Sequence, residues 1–394
     1  MPAEARYTLR TVNDIAEIPA ADWDACAHPP GIPVDPFLGH AFLNALEASG
    51  SVHPNTGWLP YHAVLDDPGG RLAGVVPLYV KGHSQGEYVF DHGWAEAFEH
   101  AGGRYYPKLL GAVPFTPAAG RRLLVRAGGQ GGGHEIERHL VAGCVEIARQ
   151  LEVSSLHFNF LESAQWERLA ALGFLRRTDQ QFHWRNEGYA SFDDFLGRLS
   201  SKKRKNLRRE RRIALENGIE VEWVTGSDLR EHHWDAFHEF YLDTGSRKWG
   251  RPYLNRRFFG LVGETLAERT LLVMCRRAGR YIAGALNFIG GDTLFGRNWG
   301  CIEDHPMLHF EACYYQAIDF AIAHGLRYVE AGAQGPHKIA RGYLPRQTRS
   351  AHWIAHEGLR DAVARYLVRE RHLVAESMEV IASHTPFRRD GSGG

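Results

Sequence analysis

The chain carries one pattern twice, and that repetition limits the folds open to it. Residues 61–80 (YHAVLDDPGGRLAGVVPLYV) read as an apolar strand, a turn and a longer buried strand. Residues 271–290 (LLVMCRRAGRYIAGALNFIG) repeat the order, with the same Ala-Gly pair inside the second strand. Each copy leads through a spacer to a helix and then a strand. In the first, Ile136, Leu140, Val141, Cys144, Ile147 and Ala148 have helical spacing over 135–151, and SSLHFNFL follows. In the second, Ala312, Tyr315, Ala317, Ile318, Ala321 and Ile322 do so over 309–324, Gly325 supplies the stop, and LRYVEAGA follows. The hairpins are offset by about 210 residues and the helix–strand units by about 173, so the first copy holds about 37 extra residues. This predicts an α/β protein of two similar domains, 1–190 with an insertion near 80–120, and 191–394 opening with a basic helix.

Composition excludes several classes. The 46 Lys+Arg balance 46 Asp+Glu, which argues against indiscriminate binding of nucleic acid or membrane surface. The balance averages unlike halves: residues 1–190 hold 15 Lys+Arg and 21 Asp+Glu, the remainder 31 and 25. Residues 202–212 (KKRKNLRRERR) alone carry eight cations and one acid, and like charges so crowded on one short helix call for a polyanionic partner. Lys202, Lys203, Arg204, Lys205 and Arg208 are its candidate phosphate ligands. No run of about 18 apolar residues exists to span a membrane, and the first 20 residues lack a signal-peptide core. The five Cys form no CxxC pair, which with those absences predicts a cytoplasmic protein with reduced thiols.

The order strand–turn–strand, third strand, helix, strand is that of GNAT-type acyltransferases, whose acyl donor lies where the third strand meets the helix. The segment LSSKKRKNLRRERR before NGIEVEW is similar to the basic helix and following strand of the FemAB-like proteins. KGHSQGEYVFDHGWAEAF, FYLDTGSRKWGRPYL, ALNFIGGDTLFGRNWG, LHFEACYYQAIDFAI and VEAGAQGPHKIARGYLP resemble the N-acyltransferase branch of that family. The likeness runs from about residue 36 to 353. It implies two tandem GNAT-like domains with mixed sheets and an N-acyltransferase activity. The implied donor is an acyl thioester such as acyl-CoA or a carrier-protein thioester, or an aminoacyl-tRNA, taken as co-substrate with no tightly bound cofactor. The implied acceptor is a small-molecule or peptide amine.

Within that frame, Arg297, Asn298 and Trp299 fall at the end of the third strand, where backbone groups polarise a donor carbonyl. His309 and Glu311 open the helix and Glu330 closes the next strand, so these three are the candidate proton acceptors for an incoming ammonium. By its place after the last strand, QGPHKIARGY resembles the Fem-type segment with a Lys before a Gly-containing loop, which implies Lys338 and Arg341 as phosphate or carboxylate binders. CoA-dependent GNAT enzymes carry glycines at the helix start. IEDHPMLHFEA has none there, whereas Arg126, Gly129 and Gly131 in the first copy fit a CoA-binding loop.

Two alternatives come from other classes. Gly82-His-Ser84-Gln-Gly86 matches the nucleophile elbow of a serine hydrolase, although the elbow must open into a helix and EYVF (87–90) reads as strand. A non-catalytic recognition module on the same fold is the other. His305 and His309 share a metal-like spacing, but Pro306 lies between them and no third ligand is placed, so no metal is expected.

Overall fold

The computed structural model describes residues 6–128, 132–248, 252–332 and 335–388. The chain forms two compact units: Met1–Asp179 with Thr348–Val374, and Gln180–Gln347 with Ala375–Gly394. A split at residue 190 treats each domain as one contiguous segment, whereas the first unit takes back a segment from near the C-terminus. Two long strands, Leu175–Arg185 and Leu344–Ile354, carry the chain from one unit into the other.

Both units are built on the same crossover. In the first, Lys108–Gly111 runs parallel to Ser155–Phe158, with helix Gly133–Gln150 between them in sequence. In the second, Thr293–Cys301 runs parallel to Tyr328–Glu330, with the helical stretch 308–323 between them. A parallel pair needs such a connection because no tight turn can join strands pointing the same way. The apolar faces expected from helical spacing are the ones buried: Ile136, Leu140, Val141, Cys144, Ile147 and Ala148 in the first unit, and Ala312, Tyr315, Ala317, Ile318 and Ala321 in the second.

In the second unit the hairpin Thr270–Arg277 and Arg280–Ile289 forms as its periodicity predicts, flanked by Ile219–Thr225 on one side and Thr293–Cys301 on the other. The first copy departs from its twin. Its long apolar run is cut at Pro77, which has no N–H to give a ladder. Leu72–Val76 joins a four-stranded sheet with Thr8–Val12, His62–Asp66 and Leu124–Val125, while Leu78–Lys81 pairs with Trp58–Pro60 and Lys108–Gly111. Residues 87–90, expected as strand, are irregular, and helix His92–His100 occupies part of the insertion.

Candidate functional site

The parallel pairing in the second unit is short, and that opens the sheet. Thr293, Leu294 and Phe295 pair with Tyr328, Val329 and Glu330. Beyond this the third strand continues to Cys301, while its neighbour ends at Glu330. A β-bulge falls at the same level: Leu286 pairs with Asn298 but Asn287 with Gly296, leaving Arg297 as the extra residue. Gly296 suits the point of divergence, because a Cβ there would lie 3.2 Å from the Glu330 carbonyl oxygen. Arg297, Asn298 and Trp299 therefore stand on the length of strand that runs on past Glu330, half-buried.

The helix beside this opening is not a plain α-helix. Met307 takes a left-handed backbone (φ 65°), a conformation that disfavours side chains. Leu308–Phe310 follows, then a wide π-helical turn over Glu311–Tyr315, then Gln316–Ala323. π-turns that interrupt helices are frequent at functional sites. His309 is half-buried and lies edge-on to Trp299 and Tyr314, at 5.3 and 5.5 Å between ring centres.

Glu311 has a different job from the one its position suggests. It is fully buried, and Arg211 of the basic helix grips both its oxygens, Nε to Oε2 at 3.1 Å and a terminal nitrogen to Oε1 at 2.8 Å. Gln316 donates to Oε1 as well, and Arg211 also reaches Asp319 at 2.7 Å. Both oxygens are thus taken up by a guanidinium and an amide. Glu311 is a structural anchor for the basic helix, not a catalytic base.

Lys338 and Arg341 are likewise engaged. The Lys338 ammonium donates to the carbonyls of Ala331 and Gly332 at 2.5 and 2.9 Å, fastening the chain just past Glu330. It is buried, and burial pulls its pKa down to about 8. Arg341 lies over the Phe310 ring at 3.5 Å and donates to Glu210 at 2.7 Å and to the His337 carbonyl at 2.8 Å. Tyr315 donates to the same Glu210 oxygen. Both cations build the site's walls, and the cations open to solvent are others.

Those exposed groups lie on the N-terminal half of helix Ser201–Ala214. Lys202, Lys205 and Arg208 are exposed, Lys203 and Arg204 half-buried. Only Arg208 among them has an ion-pair partner within the described residues, Asp193 at 2.8 Å in solvent. The first turn of this helix contains no acid, so its cations sit at the positive end of the helix dipole. The arrangement is electrostatically unfavourable until an anion arrives.

Glu330 points elsewhere than at these cations. Strand register places Tyr328 opposite Arg185 and Glu330 opposite His183, so all four occupy one face of the sheet. His183 Nε2 lies 3.7 Å from Glu330 Oε1, and both side chains are almost buried. Burial, with Arg346 and Lys338 nearby, holds His183 down to about 3, so the imidazole is neutral and the contact is not an ion pair. Beside them opens a cavity of about 880 Å³, with His183, Arg185, Tyr328 and Arg346 among its lining residues. Reading the sequence for motifs missed His183, Arg185 and Arg346. The alternation of buried Phe182 and Trp184 with His183 and Arg185 was the available signal for the first two.

The profile of the FemAB-like family, described as peptidoglycan biosynthesis/recognition, matches residues 14–389. The chain belongs to the FemAB-like family. That membership makes it an enzyme of the acyltransferase class. Among solved structures it is similar to FemX, at 13% identity and TM-score 0.53, over 90% of this chain and 100% of that one. It is also similar to L-PGS from Bacillus licheniformis, at 10% identity and TM-score 0.51, over 86% and 98%. Likenesses at such identities establish the shared tandem GNAT-like fold. No curated protein matches the chain in sequence.

The remaining sequence candidates of this FemAB-like chain fall outside the second-unit site. Arg126 is tied to Asp22 at 2.6 Å and to the Leu72 carbonyl at 2.7 Å, holding the four-stranded sheet to the first helix, and Gly129 and Gly131 lie outside the described residues. Ser84 is buried, with neither a strand nor a helix directly after it. Its Oγ accepts from Lys108 at 2.8 Å and shares a hydrogen bond with the Tyr106 hydroxyl at 2.8 Å, and Lys108 is itself held protonated by Glu87 and Asp91, so the hydroxyl is tied into a buried ion-paired cluster with no imidazole bonded to it. The elbow reading fails on both backbone and chemistry. His305 pairs with Glu303 at 2.9 Å, and no group of three ligating side chains suits a metal among the described residues. Among those residues, no helix is long and apolar enough to cross a membrane.

Proposed function

We propose that this chain is an N-acyltransferase in which an acceptor amine attacks an activated acyl carbonyl directly. The observation that supports it is the split between the third strand and Tyr328–Glu330, with Arg297–Trp299 on the diverging strand, together with the contact of Glu330 with neutral His183, which lines an open cavity. The amine arrives as an ammonium; Glu330 takes its proton directly or through His183. The nitrogen lone pair then adds to the carbonyl carbon, polarised by backbone groups of the bulged strand. The C–N bond forms as the bond to the donor's oxygen or sulfur breaks, and the departing group leaves with a proton.

The donor is a phosphate-bearing thioester or an aminoacyl-tRNA, with Lys202, Lys203, Arg204, Lys205 and Arg208 as its phosphate contacts. The family's description supports a peptidoglycan precursor as the source of the acceptor amine. Two variants test the reading in a reconstituted transfer assay. Glu330→Gln is expected to lower kcat by about 10²–10⁴ with little change in fold. Replacing Lys202, Lys203 and Lys205 by Gln is expected to raise KM for the donor and flatten its dependence on salt. Full turnover by Glu330→Gln would remove the site assignment.

A further inference from the structure

The long helix Glu357–Ser383 outruns its own packing. Its fully buried side chains, Leu359, Val363 and Leu367, all lie in its N-terminal half. From Val368 the helix runs on to Ser383 without a fully buried side chain. Helices in water hold mainly by packing an apolar face, so this length is short of support.

What it shows to solvent is apolar at regular intervals. Tyr366, Leu373 and Val380 are 44%, 63% and 60% exposed. They are seven residues apart, so each lies two helical turns from the next, and the line drifts by only about 20° per step. Leu359, one step earlier on that line, is packed with Trp94 and Tyr105 in a core cluster. The exposed part begins where the chain's own core ends. Charges keep the same interval along one flank, where Arg365, His372 and Glu379 are seven apart. Arg369 and Glu376 stand between that flank and the apolar line, and all five side chains are exposed. Arg365, Arg369 and Glu379 have no ion-pair partner among the described residues. The two arginines precede Leu373 and the two glutamates follow it.

A second copy of the helix, run in the opposite sense, answers both features. In an antiparallel pair about a twofold axis the same flanks meet, head against tail. With the axis at Leu373, that side chain meets its own copy, and Tyr366 meets Val380 of the second copy. Arg369 then comes level with the copy's Glu376 and Arg365 with its Glu379, each to within two residues, about 3 Å of helix. A parallel pair would instead set Arg369 level with Arg369 and Glu376 level with Glu376. We infer that this helix is a self-association surface, pairing antiparallel with a second copy of this chain across Leu373. The inference does not depend on the transfer reading. One helix pair is a small interface, so the dimer is expected to dissociate on dilution.

The test is sedimentation velocity of the full chain from about 1 to about 200 µM, where the mass is expected to rise from one chain towards two. Leu373→Glu is expected to raise the dimer Kd by about ten-fold or more. Val368→Glu, a substitution at a 60% exposed residue on another side of the helix, should leave it unchanged. Both positions face solvent, so circular dichroism is expected to match the wild type. Arg365→Glu should weaken the dimer by about three-fold or more, and adding Glu379→Arg to it should restore association. Orientation is read by copper-phenanthroline oxidation, with the wild type as control for the native thiols. Leu373→Cys should link to itself, and Tyr366→Cys should link to Val380→Cys in a mixture but not to itself. A single-chain mass at every concentration, a dimer that Leu373→Glu leaves intact, or self-linkage of Tyr366→Cys would each overturn the inference.

Discussion

Each unit gathers charge, but the two do so under opposite conditions. In the first, Lys81 and Lys108 face each other across antiparallel strands, both fully buried. Glu87 and Asp91 close on Lys108, Ser84 accepts from it, and Tyr105 donates to Asp91. Lys81 instead lies over the Trp58 ring at 3.5 Å, and burial pulls it down to about 7. His157 and His352 continue the network, Nδ1 to Nδ1 at 2.6 Å, with Ser155 and Ser350 on their outer nitrogens. In the second unit Arg185 and Arg346 of the cavity are exposed to solvent, Arg185 meeting Glu187 and Arg346 no carboxylate among the described residues, while His183, in contact with Glu330, stands at its wall. Charges buried against one another hold a segment in place. Charges around open space are available to a ligand. Charge density alone therefore does not identify a site, and the Gly-His-Ser-Gln-Gly motif misleads because it belongs to the buried kind.

The comparison breaks most visibly at Lys108. Lys108→Met would leave Glu87 and Asp91 buried without a cation, and is expected to cost about 3–5 kcal/mol in urea unfolding. A loss below about 1 kcal/mol would show that the first cluster is not charge-compensated. Acid is the next largest probe. Burial holds His157 down to about 3 and His352 well below its usual 6.5, so both are neutral in the fold and charged in the unfolded chain as pH falls below 6.5. Burial also raises Glu87 to about 7, which works in the opposite direction between its usual 4.5 and 7. Within this cluster two groups against one give a net loss of about 1.4 kcal/mol per pH unit from 6.5 downward, steepening below 4.5, and His183 of the second unit adds a loss in the same direction. Constant stability between pH 6.5 and 5 would contradict the neutral histidine pair. The smallest effect is expected from Ser84→Ala, which removes one of three acceptors from Lys108 at about 0.5–1.5 kcal/mol and leaves acyl transfer intact. Labelling of the wild type by a fluorophosphonate, lost in this variant, would restore the hydrolase reading.

Much of the fold was legible because it is local. Alternating and helical periodicities marked the second hairpin, both crossover helices and their following strands, and the family motifs extended that reading over most of the chain. The site was less so. Glu330 was visible as a carboxylate that a strand end has no apolar reason to carry, and the register added His183 as its neighbour. Glu311 looked like its equal, yet a bidentate grip from Arg211, one hundred residues away, makes it a structural anchor. Lys338 and Arg341, which the family resemblance implies as phosphate or carboxylate binders, are engaged as braces to the Gly332 carbonyl and to Glu210.

What the sequence determined by itself is the duplicated α/β order, since hydrogen bonding and apolar spacing within each segment are enough to write it. The tertiary structure decided which charges are spent. Ion pairing depends on groups brought together from distant segments, and the desolvation that makes a charge structural or available exists only once the chain has closed around it. The zero net charge of the chain says nothing of this division, while the burial of Lys108 and the exposure of Arg346 express it directly.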